Sequence, residues 1–273
     1  MAEKYYTFLS ANKCVGKEGN EYIGGAVVLA ISNVEHKTTE SGKKLTTARG
    51  CINNRSKILE SFLGKEIKEG DDGAVWCDVT FWEKRSELIQ EILNGRNKAK
   101  LCISGSFSLT EFTRNDGTPG QKISLNVTDC CEPSGEKYRT MVSLSNCVGK
   151  EGNKYVNCTA TLSLIDFESR TTESGKTVVS CSGCINKRGK LLSSFLGKEI
   201  EEKENGAVWC DVTFWENKAE RITKLLKGEN KIRVFITGTI SLREFTKSDG
   251  NPGQKVVINA TDWSVIPAKE KDE

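Results

Sequence analysis

The sequence predicts a mainly β protein: two tandem five-stranded barrels, each with a helix between its third and fourth strands. Three observations predict it. The stretch GAVWCDVTFWE occurs twice, letter for letter, at Gly73–Glu83 and Gly206–Glu216. Around it the two halves align at a constant offset of 133 residues, as between Cys14 and Cys147, without insertion from Glu3 and Glu136 to Asp129 and Asp262. Roughly half of the aligned residues are identical, so the chain is a duplication. Within each half, several runs alternate apolar and polar residues at period two, the pattern of strands with one buried face.

A chain of 273 residues accommodates two domains of ordinary size, and the offset sets them at 1–133 and 134–273. Glu132, Pro133, Ser134 and Gly135 between them read as a short turn-like joint. Charged residues make up 28% of the chain with a formal net charge of +3, which excludes a polybasic tail protein and leaves room for a local basic groove. The start, MAEKYYTFLS, lacks the basic and apolar regions of a secretory signal, and no apolar run approaches a membrane span. A soluble, cytoplasmic protein without membrane association is expected, with host, phage or plasmid origin open.

The 11 cysteines are expected to be reduced, structural residues. Cys181 and Cys184 form a C-x-x-C, but Ala48 stands where repeat one should match Cys181, and a zinc site needs about four ligands. No metal or other cofactor is expected.

Each repeat opens with an aromatic or apolar piece, KYYTFLS or KYRTMVS, and a turn-rich CVGKEGN segment. The first strand follows, YIGGAVVLAIS or YVNCTATLSLI, and TTESGK supplies a hairpin turn. The second strand covers Leu45 to Asn53 and Val178 to Asn186. SKILESFLGKEI and GKLLSSFLGKEI are spaced for a short helix. The repeated third strand places Cys77, Val79 and Phe81 on one face, and Trp76, Asp78, Thr80 and Trp82 on the other. The first is a core face; the second is a wet surface carrying flat aromatic platforms. From Lys84 to Leu93 an amphipathic helix presents Leu88, Ile89, Ile92 and Leu93, matched by Ile222, Leu225 and Leu226, with Gly95 and Gly228 able to end it. In the fourth strand Leu101, Ile103, Phe107 and Leu109 face inward. Ser104, Ser106, Ser108, Thr110 and Phe112, or Thr237, Thr239, Ser241, Arg243 and Phe245, form the polar side. A turn, RNDGTPG or KSDGNPG, leads to the last strand, KISLNVTD or KVVINATD.

This is the element order of the OB-fold, a partly open barrel whose sheet face binds oligonucleotides. With these residues in place, the sequence resembles the bacterial single-stranded DNA-binding protein (SSB) family. VEHKTTESGKKLTTARGCINNR resembles the family's acidic-basic pair, Thr-x-Ser-Gly turn and strand ending in Asn-Arg. Its pattern continues from Trp76 through the helix and Gly95 to Gly105, Phe112 and Gly117, over about the last hundred residues of each repeat. The resemblance implies that Trp76, Trp82 and Phe112, with Trp209, Trp215 and Phe245, are base-stacking aromatics, and that Asn53, Arg55, Asn186 and Arg188 border the groove. Many members carry an aromatic where this chain has Lys57 and Lys190. The family's long mobile hairpin is replaced here by SKILESFLGKEI, and an amino-terminal segment is added. Members tend to end in an acidic, hydrophobic tip; this chain ends in AKEKDE, so recruitment of partners through such a tip is not expected. Because the family presents four OB-folds together, a homodimer is implied.

The expected activity is binding without chemistry. Arg55, Lys84, Arg85, Arg114, Arg188, Lys218, Arg243 and Lys247 would neutralise phosphates, and aromatics would stack bases of any sequence in replication, recombination or repair. An enzyme is not expected: Asp78 and Asp211 lack a second carboxylate, and the only histidine, His36, is matched by Ser169. Two other readings remain open here. An OB-fold interaction module, such as a phage or plasmid inhibitor, would use the same face on a protein, and stacking platforms alone do not separate DNA from RNA.

Overall fold

The computed structural model describes residues 7–133, 140–226, 228–246 and 248–266. The chain divides into two compact units, Met1–Arg139 and Thr140–Glu273. The first contains β1 (Leu9–Val15), β2 (Glu21–Thr38), β3 (Lys44–Asn53), α1 (Ser56–Leu63), β4 (Ala74–Trp82), α2 (Lys84–Leu93), β5 (Ala99–Thr113) and β6 (Pro119–Cys131). The second repeats the order with β7 (Val142–Val148), β8 (Lys154–Thr171), β9 (Thr177–Asn186), α3 (Gly189–Leu196), β10 (Ala207–Trp215), α4 (Asn217–Leu226), β11 (Lys231–Thr246) and β12 (Pro252–Val265).

In the first unit β2, β3 and β4 pair antiparallel in sequence, β4 pairs parallel with β6, and β6 pairs with β5. β5 returns to β2 and closes a five-stranded barrel. The second unit closes the same way through β8, β9, β10, β12 and β11. These are the OB-fold barrels that the alternation predicted. Closure removes most free edges, which lets strands with one apolar face enclose a core.

Each unit also has a strand that the alternation did not reveal. β1 pairs with β2 from Leu9 opposite Val27 to Val15 opposite Glu21, and β7 pairs likewise with β8. The phase of β1 breaks: Leu9 and Ala11 are buried, but Lys13 is exposed and Cys14 buried. Its far end lies in the turn-rich CVGKEGN. Counted with these strands, the second helix of each unit falls between the fourth and fifth. β2 bends where its register shifts between Ser32 and Glu35, with Asn33 at φ 52°; Asp166 at φ 56° marks the same bend in β8. Asn and Asp tolerate that left-handed conformation better than most residues.

Val79, Phe81, Leu29, Leu101 and Leu125 pack at the centre of the first core, and Val212, Phe214, Leu162, Val234 and Ile258 at the centre of the second. Cys77 and Cys210 are buried among them. In the C-x-x-C, Cys181 is buried with its Sγ directed at Val212 O, whereas Cys184 points its Sγ to Asn186 Oδ1. Residues three apart on a strand face opposite ways, so this spacing cannot chelate from one face. Glycine is required where the register of β5 and β11 shifts against the last strand: a Cβ on Gly105 would lie 2.3 Å from Asn126 O, and on Gly238 2.3 Å from Asn259 O.

Two expectations about faces are corrected. Ser104 and Thr237 do not line the open surface; both are buried, within stretches of β5 and β11 covered on both sides. Ser104 Oγ donates to Asp129 O at 3.5 Å and Thr237 Oγ1 to Asn157 Oδ1 at 3.4 Å. A hydroxyl can be buried once one bond is made, so polar alternation overstates the wet face there. Leu225 is exposed rather than packed. The buried stripe of α4 is Ala219 and Ile222, as that of α2 is Ser86, Ile89 and Leu93. Over the equivalent Ile92, Arg96 donates to Ile92 O and pairs with Glu132 at 2.9 Å; Glu229 and Val265 occupy those positions in the second unit.

Candidate nucleic-acid interface

The outer face of β4 follows from its alternation. Cys77, Val79 and Phe81 are buried, while Trp76 and Trp82 are 53% and 42% exposed. In β10, Trp209 and Trp215 are 45% and 39% exposed, and Phe112 and Phe245 on β5 and β11 are 46% and 40% exposed. Among the described residues eight large hydrophobic side chains are exposed, and six are these aromatics; the others are Leu225 and Val265. A strand that spends two tryptophans on its solvent side, in both repeats, is not using them for its core.

Register places the remaining candidates. Asn53 lies opposite Ala74 across the β3–β4 ladder, and Phe112 lies opposite Gly120 on β6, which runs parallel to β4. Trp76, Phe112, Asn53 and Arg55 therefore gather at one end of the face, with Arg114 in the turn beyond Phe112. Trp82, Lys84 and Arg85 stand at the other end, about 20 Å along the strand from Trp76. The second unit gathers Trp209, Phe245, Asn186, Arg188 and Arg243 at one end and Trp215 and Lys218 at the other. Lys247 lies outside the described residues, as do the AKEKDE terminus and the joint's Ser134 and Gly135.

The cations are not equally available. Arg55 Nε donates to Thr7 O at 2.8 Å, fastening the end of β3 to the start of the chain, and Arg85 Nε donates to Thr128 O at 2.7 Å. Arg114 reaches Thr118 Oγ1 at 3.4 Å. Lys84 and Arg243 are exposed, and Lys218 is half-buried. Each Asn carries a thiol contact: Cys51 Sγ donates to Asn53 Oδ1 at 3.1 Å and Cys184 Sγ to Asn186 Oδ1 at 3.2 Å. Burial, with Asp72 adding to it at Cys51, holds both thiols above their ordinary pKa, so they act as S–H donors at neutral pH.

Three cations on this face escaped the sequence reading. Arg49 sits opposite Asp78 on β3, its guanidinium 5.3 Å from the Trp76 ring centroid, a cation–π distance. Lys122 and Lys255 on the last strands pair with Asp78 and Asp211 at 2.7 Å. The signal was present in KISLNVTD, where Lys122, Ser124 and Asn126 alternate with Ile123, Leu125 and Val127. Arg49 shares a face with Thr47 and Cys51 by the same rule.

The segment after α1 borders the Phe112 end. Lys65 pairs with Glu111, Gln121 Nε2 donates to Glu66 O at 2.7 Å, and Glu69 Oε1 accepts from Ser56 N at the helix start. In the second unit Lys198 pairs with Glu244, Gln254 Nε2 donates to Glu199 O at 3.0 Å, and Glu202 Oε1 accepts from Gly189 N. The lysine contact lowers the pKa of the Glu111 carboxyl. Lys57 points into solvent and, among the described residues, pairs with Glu60 of its own helix at 3.2 Å.

His36 belongs to a different construction. Its Nδ1 lies 2.8 Å from Thr46 Oγ1, which lies 2.7 Å from Ser86 Oγ, so the chain of bonds ties α2 to the β2–β3 hairpin. The second unit has Ser169, Val179 and Ala219 at these three positions, and all three differences change together.

The profile of the Single-strand binding protein family matches residues 164–266. No curated protein matches the chain. Among solved structures, a deletion variant of the single-stranded DNA binding protein from Thermus aquaticus aligns over 100% of both chains at 10% identity with a TM-score of 0.31. The wild-type protein aligns over 90% of this chain and 94% of its own, at 11% identity and a TM-score of 0.29. Rim1, the mitochondrial single-stranded DNA binding protein of S. cerevisiae, aligns over 48% of this chain and 98% of its own, at 10% identity and a TM-score of 0.24. The similarity to that family lies in the second repeat, whose barrel repeats the element order of the first.

Proposed function

We propose that the chain binds single-stranded DNA without sequence preference, stacking bases on Trp76, Trp82, Phe112, Trp209, Trp215 and Phe245. Asn53, Arg55, Lys84, Arg85, Arg114, Asn186, Arg188, Lys218 and Arg243 line the path as polar and phosphate-facing groups. The observation that carries the reading is the pair of aromatic faces: six exposed rings at equivalent positions in two barrels. Aromatic rings in water lose apolar burial unless a flat partner covers them, and every base offers such a surface. Arg55 and Arg85 are held by carbonyls, so their phosphate contacts would be weaker than those of Lys84 or Arg243.

Such a protein protects exposed strands in replication, recombination or repair, and its activity is binding rather than catalysis. Two OB-folds per chain also favour a homodimer presenting four, which sedimentation would report as twice the chain mass; a strictly monomeric mass would remove that part. The test of function is fluorescence anisotropy of a labelled oligo-dT across a salt series, against the same length of duplex and of oligo-U. Binding confined to single strands and weakened by salt supports the reading. Preference for oligo-U would turn it toward RNA, and no binding at low salt would overturn it.

A further inference from the structure

Asp78 and Asp211 occupy the middle of the two aromatic faces, a strange place for a carboxylate on a surface that receives phosphates. Each is two residues from a tryptophan, about 6–7 Å along the strand, well inside the ~8 Å screening length at physiological salt. Each is held by a lysine from the neighbouring strand at 2.7 Å, Lys122 to Asp78 Oδ2 and Lys255 to Asp211 Oδ1. In the first unit Arg49 Nε also approaches Asp78 Oδ1 at 4.0 Å. Ser182 lies opposite Asp211 instead, so among the described residues Lys255 is the cation paired with that carboxylate. All these groups are substantially solvent-exposed, and exposed ion pairs contribute little to stability. The same pair nonetheless stands in both repeats.

We infer that Asp78 and Asp211 are built-in competitors of phosphate, holding Lys122, Lys255 and Arg49 beside the tryptophans and limiting how many phosphates each unit neutralises. This rests on the single-strand binding proposed above. In the free protein the carboxylate keeps the lysine in place along the sheet. When a strand arrives, its phosphates compete for that lysine, and a carboxylate that loses it takes up a counterion. Either way the binding of a strand releases one fewer counterion per unit than a bare lysine would allow. The bound strand is pushed to lie with bases toward the rings and phosphates toward the rim, and it exchanges faster than a bare cationic face would allow.

The test is the salt dependence of oligo-dT binding by the full chain and by Asp78→Asn and Asp211→Asn, which keep shape and remove charge. Each variant should bind more tightly. Each should steepen the log–log salt slope by about 0.7, the contribution of one phosphate on a single strand. Between 200 and 50 mM salt the advantage over the wild type should then grow about 2.6-fold for each single variant and about sevenfold for the double. Unchanged slopes, or weaker binding by the Asn variants while the wild type binds, would overturn this inference and leave the proposed function standing. A wild type that does not bind would overturn both.

Discussion

Trp76→Ala separates the two faces of β4. About half of the side chain is buried, on the order of 120 Å² for a residue of this size, so truncation should cost at most about 3 kcal/mol of stability at 25 cal/mol per Å². Its effect on binding should be the loss of one stacked base, about 1–3 kcal/mol, or roughly 5- to 150-fold in Kd. Phe81→Ala, five residues along and fully buried, should do the reverse: a cost of about 3–5 kcal/mol from lost burial and a cavity, with Kd unchanged for the fraction that remains folded. Urea unfolding gives the first quantity and anisotropy titration the second. The reasoning fails if Trp76→Ala unfolds the protein as readily as Phe81→Ala, or if a folded Trp76→Ala binds within twofold of the wild type.

Other consequences can be checked in the free protein. Gly105→Ala drives a Cβ into Asn126 O, and a backbone neighbour cannot yield cheaply, so melting should reveal a loss of about 1–3 kcal/mol or more. Grafting the second unit's residues into the first, Thr46→Val with Ser86→Ala, should cost less than the two single changes added, because each single change strands a buried hydroxyl's bond; a double-mutant cycle measures this. Contacts with Lys37, Ile67, Lys44, Lys65 and Thr118 lower the folded pKa of Glu35, Glu60, Glu87, Glu111 and Asp116. Their contribution is present above the unfolded carboxyl values and should fade as pH falls through the lowered ones, below about pH 4. Burial pushes Cys77 and Cys158 up to about 12. That contribution is whole below the unfolded thiol value and lost as pH rises toward 12, so alkaline melts should show falling stability and a thiol reagent at pH 8 should spare both.

The barrel strands and the exposed tryptophans were legible because period-two alternation is strict in GAVWCDVTFWE and both copies agree. β1 was not, because its phase breaks at Lys13 and Cys14 and its end is written in turn residues. Ser104 and Thr237 misled because a hydroxyl satisfied by one bond is at home on either face. Asn53 with Trp76 and Lys122 with Asp78 are neighbours only through pairing between strands. Across the β3–β4 connection the register depends on how α1 and its following segment pack, which no local pattern encodes. Arg55 shows the same limit: nothing in its neighbourhood announces that Thr7 O takes its guanidinium.

The central claim is that the two tryptophan faces receive bases, and the chain's own fluorescence reports on it directly. Of its five tryptophans, Trp76, Trp82, Trp209 and Trp215 stand on those faces, while Trp263 is buried against Phe214 and Arg221. Titration with oligo-dT at low salt should quench most of the emission and leave a residue from Trp263. High salt should restore the signal, and duplex should have no effect. Saturating strand that leaves the emission unchanged would contradict the account.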